Sequence, residues 1–322
     1  MHILVMPGLT FPEPDPEVLA RIRAAAGPGA RVSVVADPEQ AIGLAADVEV
    51  ILGVVPKRLF AAAPRLRWVH AITSGVDMFL YPEFVRSDVL LTGEKGLVGE
   101  HLADHGFGLL LALTRKIAAA QALGHQAWQH REALRRGELE LTGATMGIIG
   151  LGGTGRSMAR RAVAFGMHCI AVDREPVPSA PEVSDVWPLS RLPELLRMSD
   201  VVAICCPLTR ETRGMFDAGT FDMVRPGAFL VNVTRGEVMD EAALVAALTV
   251  GNLRGAALDV APREPLPPDS ELWRLPNVVM TPHTAGASQY RAGRNLERFL
   301  ANLGFLRAGH PLEGLVDKQL GY

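Results

Sequence analysis

Short apolar runs, separated by helical or turn segments, organise this chain from its first residues. Ile3–Met6, Val32–Val35, Val48–Val54, Trp68–Ala71 and Val89–Leu91 read as strands, while Pro16–Ala26 and Lys57–Ala63 show helical spacing. Strands alternating with helices predict a parallel sheet. No glycine-rich phosphate turn follows the first run, because Pro7-Gly8-Leu9 leads into a proline-punctuated segment. The first α/β unit therefore serves a purpose other than dinucleotide binding. Residues 97–119 form a long helical pattern, followed by 121–136, rich in Gln, His, Trp and Arg. The long helix is expected to leave apolar surface exposed, suited to a second copy of the chain.

A second α/β unit starts at Ala144. Its predicted strands are Met146–Ile149, Cys169–Val172, Val201–Cys205, Phe229–Val233, Gly255–Val260 and Val278–Thr281. Helices are expected over Ser157–Phe165, Arg191–Met198, Asp217–Met223 and Asp240–Leu248, with a proline-rich loop around Pro176, Pro178 and Pro181. A last helix is expected over Ala285–Arg307, ending near Gly309, and the tail is expected to return to the first unit.

Between the first two strands of this second unit lies Gly-Leu-Gly-Gly-Thr-Gly, with glycines at 150, 152, 153 and 155. Gly150 permits a turn that a side chain would forbid, Gly152 lets the backbone approach a pyrophosphate, and Gly155 lets the helix pack closely on its strand. Backbone N–H groups at the helix start then face the phosphates. Asp173 ends the next strand, where a carboxylate can accept hydrogen bonds from the adenosine ribose hydroxyls. The glycine pattern alone is weak, but here a strand precedes it, a helix follows it, and an acid closes the unit.

Composition narrows the options. The 322 residues suffice for two domains, and 48% hydrophobic with 21% charged residues are globular values. A net charge of −3 gives no basic footprint for nucleic acid. Three cysteines make no disulfide framework, and no Cys/His set has zinc spacing, so no metal is expected. The apolar start reads as a first strand and not a signal peptide, and a soluble, cytoplasmic protein is expected.

Ligands of an open parallel sheet bind beyond the carboxyl ends of the strands. There the second unit places Thr234-Arg235-Gly236, Asp259, Glu264 and His283. Each has an ordinary alternative: a surface arginine, a turn-capping aspartate, a solvated loop acid, a loop histidine. Together they supply a cation, a carboxylate and an imidazole beside a nicotinamide-type cofactor, a set suited to hydride transfer at a carbonyl next to a carboxylate.

The strings VNVTRGEVMDEAALVAAL and GAALDVAPREPLPPDSELWRLPNVVMTPHTAG resemble the D-isomer-specific 2-hydroxyacid dehydrogenases, supported by SDVVAICCPLTRETRGMF, GLGGTG and SGVDMF. The resemblance covers nearly the whole chain. It implies an α/β fold of two domains: a Rossmann-type doubly wound parallel sheet at 97–286, inserted into a smaller flavodoxin-like substrate domain of 1–96 and 287–322. It places the catalytic arginine on Arg235, the glutamate on Glu264 and the histidine on His283. The substrate loop falls on Ser74, Gly75, Val76 and Asp77, with Arg235 also binding the substrate carboxylate. Cofactor contacts fall on Gly150, Gly152, Gly153, Thr154, Gly155, Asp173, Arg174, Cys206, Pro207, Thr212, Val233, Thr234, Asp259, His283 and Ala285. Members are usually homodimers.

In those roles His283 would exchange a proton with the substrate oxygen, a histidine being able to serve in both directions. Glu264 on the other ring nitrogen would fix the tautomer, and Arg235 would bind the carboxylate with its planar fork. Asp173 favours NAD, whereas Arg174 could accommodate the phosphate of NADP; NAD is the reading, with NADP open. The implied activity is reduction of a small 2-keto acid such as glyoxylate or hydroxypyruvate. The alternatives are an NAD-sensing corepressor-like binding protein and a phosphite-type dehydrogenase. The segment GEKGLVGEHLAD departs from the Val-Ala-Glu of many relatives, and Cys205-Cys206 stands where a histidine is common. No serine-sensing extension is expected, and the His–Glu pair argues against formate dehydrogenases.

Overall fold

The computed structural model describes residues 1–178 and 180–322. The chain divides into two compact units, Met1–Val98 with Ala287–Tyr322, and Gly99–Gly286.

The first unit holds five parallel strands: β1 (His2–Val5), β2 (Arg31–Val34), β3 (Val50–Leu52), β4 (Trp68–His70) and β5 (Leu90–Thr92), in the order β2-β1-β3-β4-β5. This is the flavodoxin-like order. Successive side chains of a strand point to opposite faces. Ile3 and Val5 accordingly join a core with Trp68 and Phe299, while Leu4 joins one with Ile51, Val69 and Phe84. Both faces are covered, which is why these strands read as continuous apolar runs and not as alternation.

The helix Pro16–Ala26 starts where Asp15 accepts from the Val18 N–H at 2.8 Å, with proline at its first position. It packs against the helix Arg291–Ala308, which begins six residues later than the sequence pattern suggested. The tail closes the edge of β5: Gly93 N donates to Gly314 O and Val316 N to Leu91 O.

The second unit holds seven parallel strands: β6 (Thr145–Ile149), β7 (His168–Asp173), β8 (Asp185–Pro188), β9 (Val201–Ile204), β10 (Ala228–Asn232), β11 (Leu253–Leu258) and β12 (Val278–Met280). Their order is β12-β11-β10-β9-β6-β7-β8. From β6 the chain builds outward one way to β8, then returns to β9 on the other side. The switch point lies between β6 and β9, where an α/β sheet opens a crevice at its carboxyl edge. The strand β8 was not apparent in the sequence.

One expectation is corrected. The helix Gly99–Thr114 does not present its apolar face to solvent. Leu102, Phe107, Leu109, Leu110 and Leu113 are buried, and the helix packs on Gly153–Ala164 and on β10 to β12. It ends before Lys116, whose φ of 54° is left-handed, and the chain restarts as Ile117–Leu123. The exposed apolar side chains lie after that break, with Ile117 57% and Trp128 80% accessible. Among the described residues, no single helix is long and apolar enough to cross a membrane.

His70 is a charge-sensitive point in the first unit. It is fully buried on β4, edge-to-face with Trp68 and tilted against Phe299, with Nδ1 2.6 Å from Thr92 Oγ1. Its Nε2 has no hydrogen-bond partner among the described residues. Burial pushes its pKa down to about 3, with the Arg298 charge adding to the effect. The unfolded chain, titrating near its ordinary value, takes up a proton that the folded chain refuses. Stability from this group is therefore complete above about pH 6.5 and is lost as pH falls toward about 3. Relative to the wild type, His70→Asn should gain roughly 2–3 kcal/mol between about pH 7 and about pH 4.5 in denaturant unfolding. A stability difference independent of pH would contradict this account.

Candidate active site

The carboxyl edge of the second sheet is built by close backbone approaches. At Gly150, φ is 93° and a Cβ would lie 2.8 Å from the Cys206 backbone. At Gly155 a Cβ would meet Gly150 O at 2.1 Å. At Gly152 nothing lies within 4 Å of where a side chain would begin. The turn is thus closed against the protein at two glycines and open at the third. Gly153 and Thr154 start the helix Gly153–Ala164. This arrangement fits a dinucleotide pyrophosphate, with open space in front of helix-start N–H groups. Asp173 is tied to the same turn: Oδ2 accepts from Leu151 N at 2.7 Å and Oδ1 from Glu175 N at 3.0 Å.

Beyond β9, Cys206 is buried and Thr212 Oγ1 donates to Pro207 O at 2.7 Å. Burial pushes the Cys206 thiol up to about 12, and the nearby Asp173 charge adds to this, so the sulfur is a neutral thiol lining the turn. Beyond β10, the side chain of buried Asn232 holds both sides of a loop. Its Oδ1 accepts from Thr234 N at 3.0 Å and its Nδ2 donates to Arg235 O at 2.9 Å. Val233 is buried, and Arg235, half-buried, donates through Nη1 to Thr234 O. The next residue must be glycine: a Cβ at Gly236 would lie 1.9 Å from the Ala261 carbonyl carbon.

That approach joins Arg235 to the remaining candidates. Ala261 N donates to Glu264 Oε1 at 3.0 Å, and Glu264 Oε2 lies 2.6 Å from His283 Nδ1. Nε2 is thereby left as the nitrogen available for proton exchange.

His283 itself sits at a left-handed φ of 54°, uncommon for a residue with a side chain. Asp259, 1% exposed, holds it there. Its carbonyl accepts from His283 N at 2.8 Å. Its Oδ1 accepts from Thr281 Oγ1 at 2.6 Å and from Thr284 N at 2.8 Å, and its Oδ2 accepts from Ala285 N at 2.8 Å. His105, from the helix Gly99–Thr114, places Nε2 2.7 Å from Thr281 Oγ1 and 3.5 Å from Asp259 Oδ1. Since the threonine hydroxyl donates to Asp259, it accepts from His105 Nε2–H.

Comparison with known proteins turns this geometry into a family. Residues 107–285 match the family model described as D-isomer specific 2-hydroxyacid dehydrogenase, NAD binding domain. The chain belongs to the D-isomer specific 2-hydroxyacid dehydrogenases. It is 34% identical over 281 residues to glyoxylate reductase of Korarchaeum cryptofilum, covering 85% of this chain and 82% of that one. It is also similar to the crystal structure of an NADPH-dependent glyoxylate/hydroxypyruvate reductase from Sinorhizobium meliloti in complex with NADP and sulfate, with TM-score 0.80 and 30% identity over 100% of this chain and 99% of that one. A family protein from Aeromonas salmonicida gives TM-score 0.81 at 30% identity, over 98% of this chain and 99% of that one. As a member, this dehydrogenase is an NAD(P)-dependent oxidoreductase, and its second unit carries the dinucleotide.

Ser74, Gly75 and Val76 follow β4 in the first unit, with Ser74 exposed, Val76 buried and Thr73 Oγ1 donating to Gly75 O at 2.8 Å. The sequence did not point to Asn232, to the backbone approach at Gly236 or to the inward role of His105. An asparagine ending a strand and a glycine after an arginine were the available signals, and neither specifies its partner.

In this dehydrogenase Asp259→Asn keeps the side-chain volume but turns an amino group toward donors. The variant is expected to lose about 1–3 kcal/mol of stability, seen as a lower Tm, and at least about tenfold in turnover. Wild-type Tm and turnover would show that the clasp is dispensable.

Proposed function

We propose that this protein reduces a small 2-keto acid, such as glyoxylate or hydroxypyruvate, to the corresponding D-2-hydroxy acid. The observation that carries the reading is the 2.6 Å contact between His283 Nδ1 and Glu264 Oε2, on the unit that carries the dinucleotide. Relatives named glyoxylate reductase support the choice of substrate class. When bound, the nicotinamide supplies the hydride.

The protein's own residues do the rest. Glu264 keeps the proton on Nδ1 and orients the ring, so that Nε2 delivers a proton to the carbonyl oxygen and recovers it in the reverse direction. Arg235 binds the substrate carboxylate and polarises the carbonyl, and the Asn232 side chain fixes the backbone on which it sits. Asp259 holds the His283 turn, so the imidazole does not have to reorganise during transfer. We read the first unit as the substrate-binding domain, with Ser74, Gly75 and Val76 as its substrate loop. The remaining cofactor contacts are Gly150, Gly152, Gly153, Thr154, Gly155, Asp173, Cys206, Pro207, Thr212, Val233, Thr234 and Ala285. A homodimer, with exposed Ile117 and Trp128 in the contact, and a cytoplasmic site of action complete the reading.

Reduced cofactor should be consumed with a panel of 2-keto acids, glyoxylate and hydroxypyruvate among the best. His283→Ala should lower kcat by about 10²–10⁴-fold. Arg235→Lys should chiefly raise KM for the acid, because a point charge replaces a bidentate fork. Cofactor binding without turnover on any acid would favour a sensor, and near-normal turnover of His283→Ala would remove the histidine from the chemistry.

A further inference from the structure

The end of β7 holds a charge arrangement that the reaction does not use. Asp173 faces the glycine turn, and Arg174 follows it in the chain. The Arg174 guanidinium is paired: Nη1 lies 3.2 Å from Glu211 Oε2, and Nε 3.5 Å from Glu175 Oε1. Arg174 is 39% exposed, Glu211 57% and Glu175 51%, so each pair taken singly contributes little. Glu211 is nevertheless not on a free loop. Thr209 N donates to Thr212 Oγ1 at 2.8 Å, Thr212 Oγ1 donates to Pro207 O at 2.7 Å, and Glu211 N donates to Thr209 Oγ1 at 3.3 Å. These bonds tie the turn carrying Glu211 back to Pro207, at the end of β9, across the switch point from β7. The carboxylate is presented to Arg174 from a backbone already ordered, which lowers the entropy lost in forming the pair.

We propose that Glu211, seconded by Glu175, clamps Arg174 and makes the site select the dinucleotide with a free adenosine ribose diol, NAD(H). An arginine beside this strand end is a ready ligand for a 2′-phosphate. Here it is paired with two carboxylates, Glu211 and Glu175, so a phosphate bringing about −1.5 to −2 of charge would meet those acids beside the guanidinium. The Arg–phosphate interaction is intrinsically stronger than one surface ion pair, so Glu211 does not win as a competing partner alone. It wins because it also repels the incoming phosphate. Glu211 is therefore the specificity-determining residue, acting through Arg174, while Asp173 receives the ribose.

The proposal rests on the dinucleotide domain and not on the keto-acid reading. Its test needs no substrate. Dissociation constants for NADH and NADPH are measured by calorimetric titration of the wild type, Glu211→Gln, and Glu211→Gln combined with Arg174→Ala. The wild type should bind NADH more tightly. Glu211→Gln should tighten NADPH by about tenfold and change NADH by less than about threefold. Adding Arg174→Ala should abolish the gain. A wild type that prefers NADPH, a Glu211→Gln variant with unchanged NADPH affinity, equal shifts for both cofactors, or a gain that survives Arg174→Ala would each overturn the clamp. Selective NADH binding without reduction of any keto acid would remove the proposed function and leave the clamp standing.

Discussion

One buried carboxylate sets the geometry of the carboxyl edge of the second sheet. Asp259 is removed from water at the end of β11, which for an unpaired charge costs several kcal/mol. Its oxygens receive the Thr281 hydroxyl and the N–H groups of Thr284 and Ala285, so the charge is met by fixed donors. Those donors flank His283, whose left-handed backbone costs about 1–2 kcal/mol for a residue with a side chain. The two unfavourable terms resolve each other. Extended or helical backbone at His283 would turn the flanking donors away, and without the carboxylate the donors of Thr281, Thr284 and Ala285 would lose their shared acceptor. His105 extends the same set into the helix Gly99–Thr114, so the turn carrying His283 is coupled to the helix that covers the sheet.

The glycines serve a related purpose from the opposite direction. Gly236 lets the chain after Arg235 touch the Ala261 backbone, a distance no side chain would permit. Because Ala261 N also holds Glu264, this contact sets where the acid can stand relative to the arginine's loop. Gly155 plays the corresponding part at the cofactor turn, seating the helix start against Gly150. Each functional group on this edge is positioned by a backbone approach or a backbone hydrogen bond, and not by packing of its own side chain.

That division explains what could be read from the sequence. The strand–helix alternation is strong because both sheets are covered on both faces, and buried parallel strands are apolar throughout. The edge strand β8 was missed because Asp185 and Pro188 bound it and only two of its residues are apolar. The long helical pattern at 97–119 showed no break, since Arg115 and Lys116 are ordinary helix formers; Lys116 turns left-handed with neither glycine nor proline to announce it. Apolar content alone could not tell whether that helix faces its own sheet or solvent, and it faces the sheet. Arg235, Glu264 and His283 were nameable one by one from their strand-end positions. The links between them run through the side chains of Asn232 and Asp259 and the backbone of Ala261, and none of these residue types specifies its partner.

Asp259 and Glu264, five residues apart after the same strand, show how environment assigns roles to like groups. Asp259, 1% exposed, has its carboxylate oxygens taken up by the Thr281 hydroxyl and the N–H groups of Thr284 and Ala285. Glu264, 38% exposed at its side chain, gives one oxygen to Ala261 N and the other to His283. An acid so divided holds the imidazole on one side while its own position is fixed on the other. The loop between them, with Ala261 and Val260 buried, transmits the rigidity of β11 to a group that must remain accessible. The edge therefore grades its charged groups by depth. The most buried acid fixes the backbone, the half-buried one holds the imidazole of His283, and the exposed acids paired with Arg174 stand beyond the end of β7.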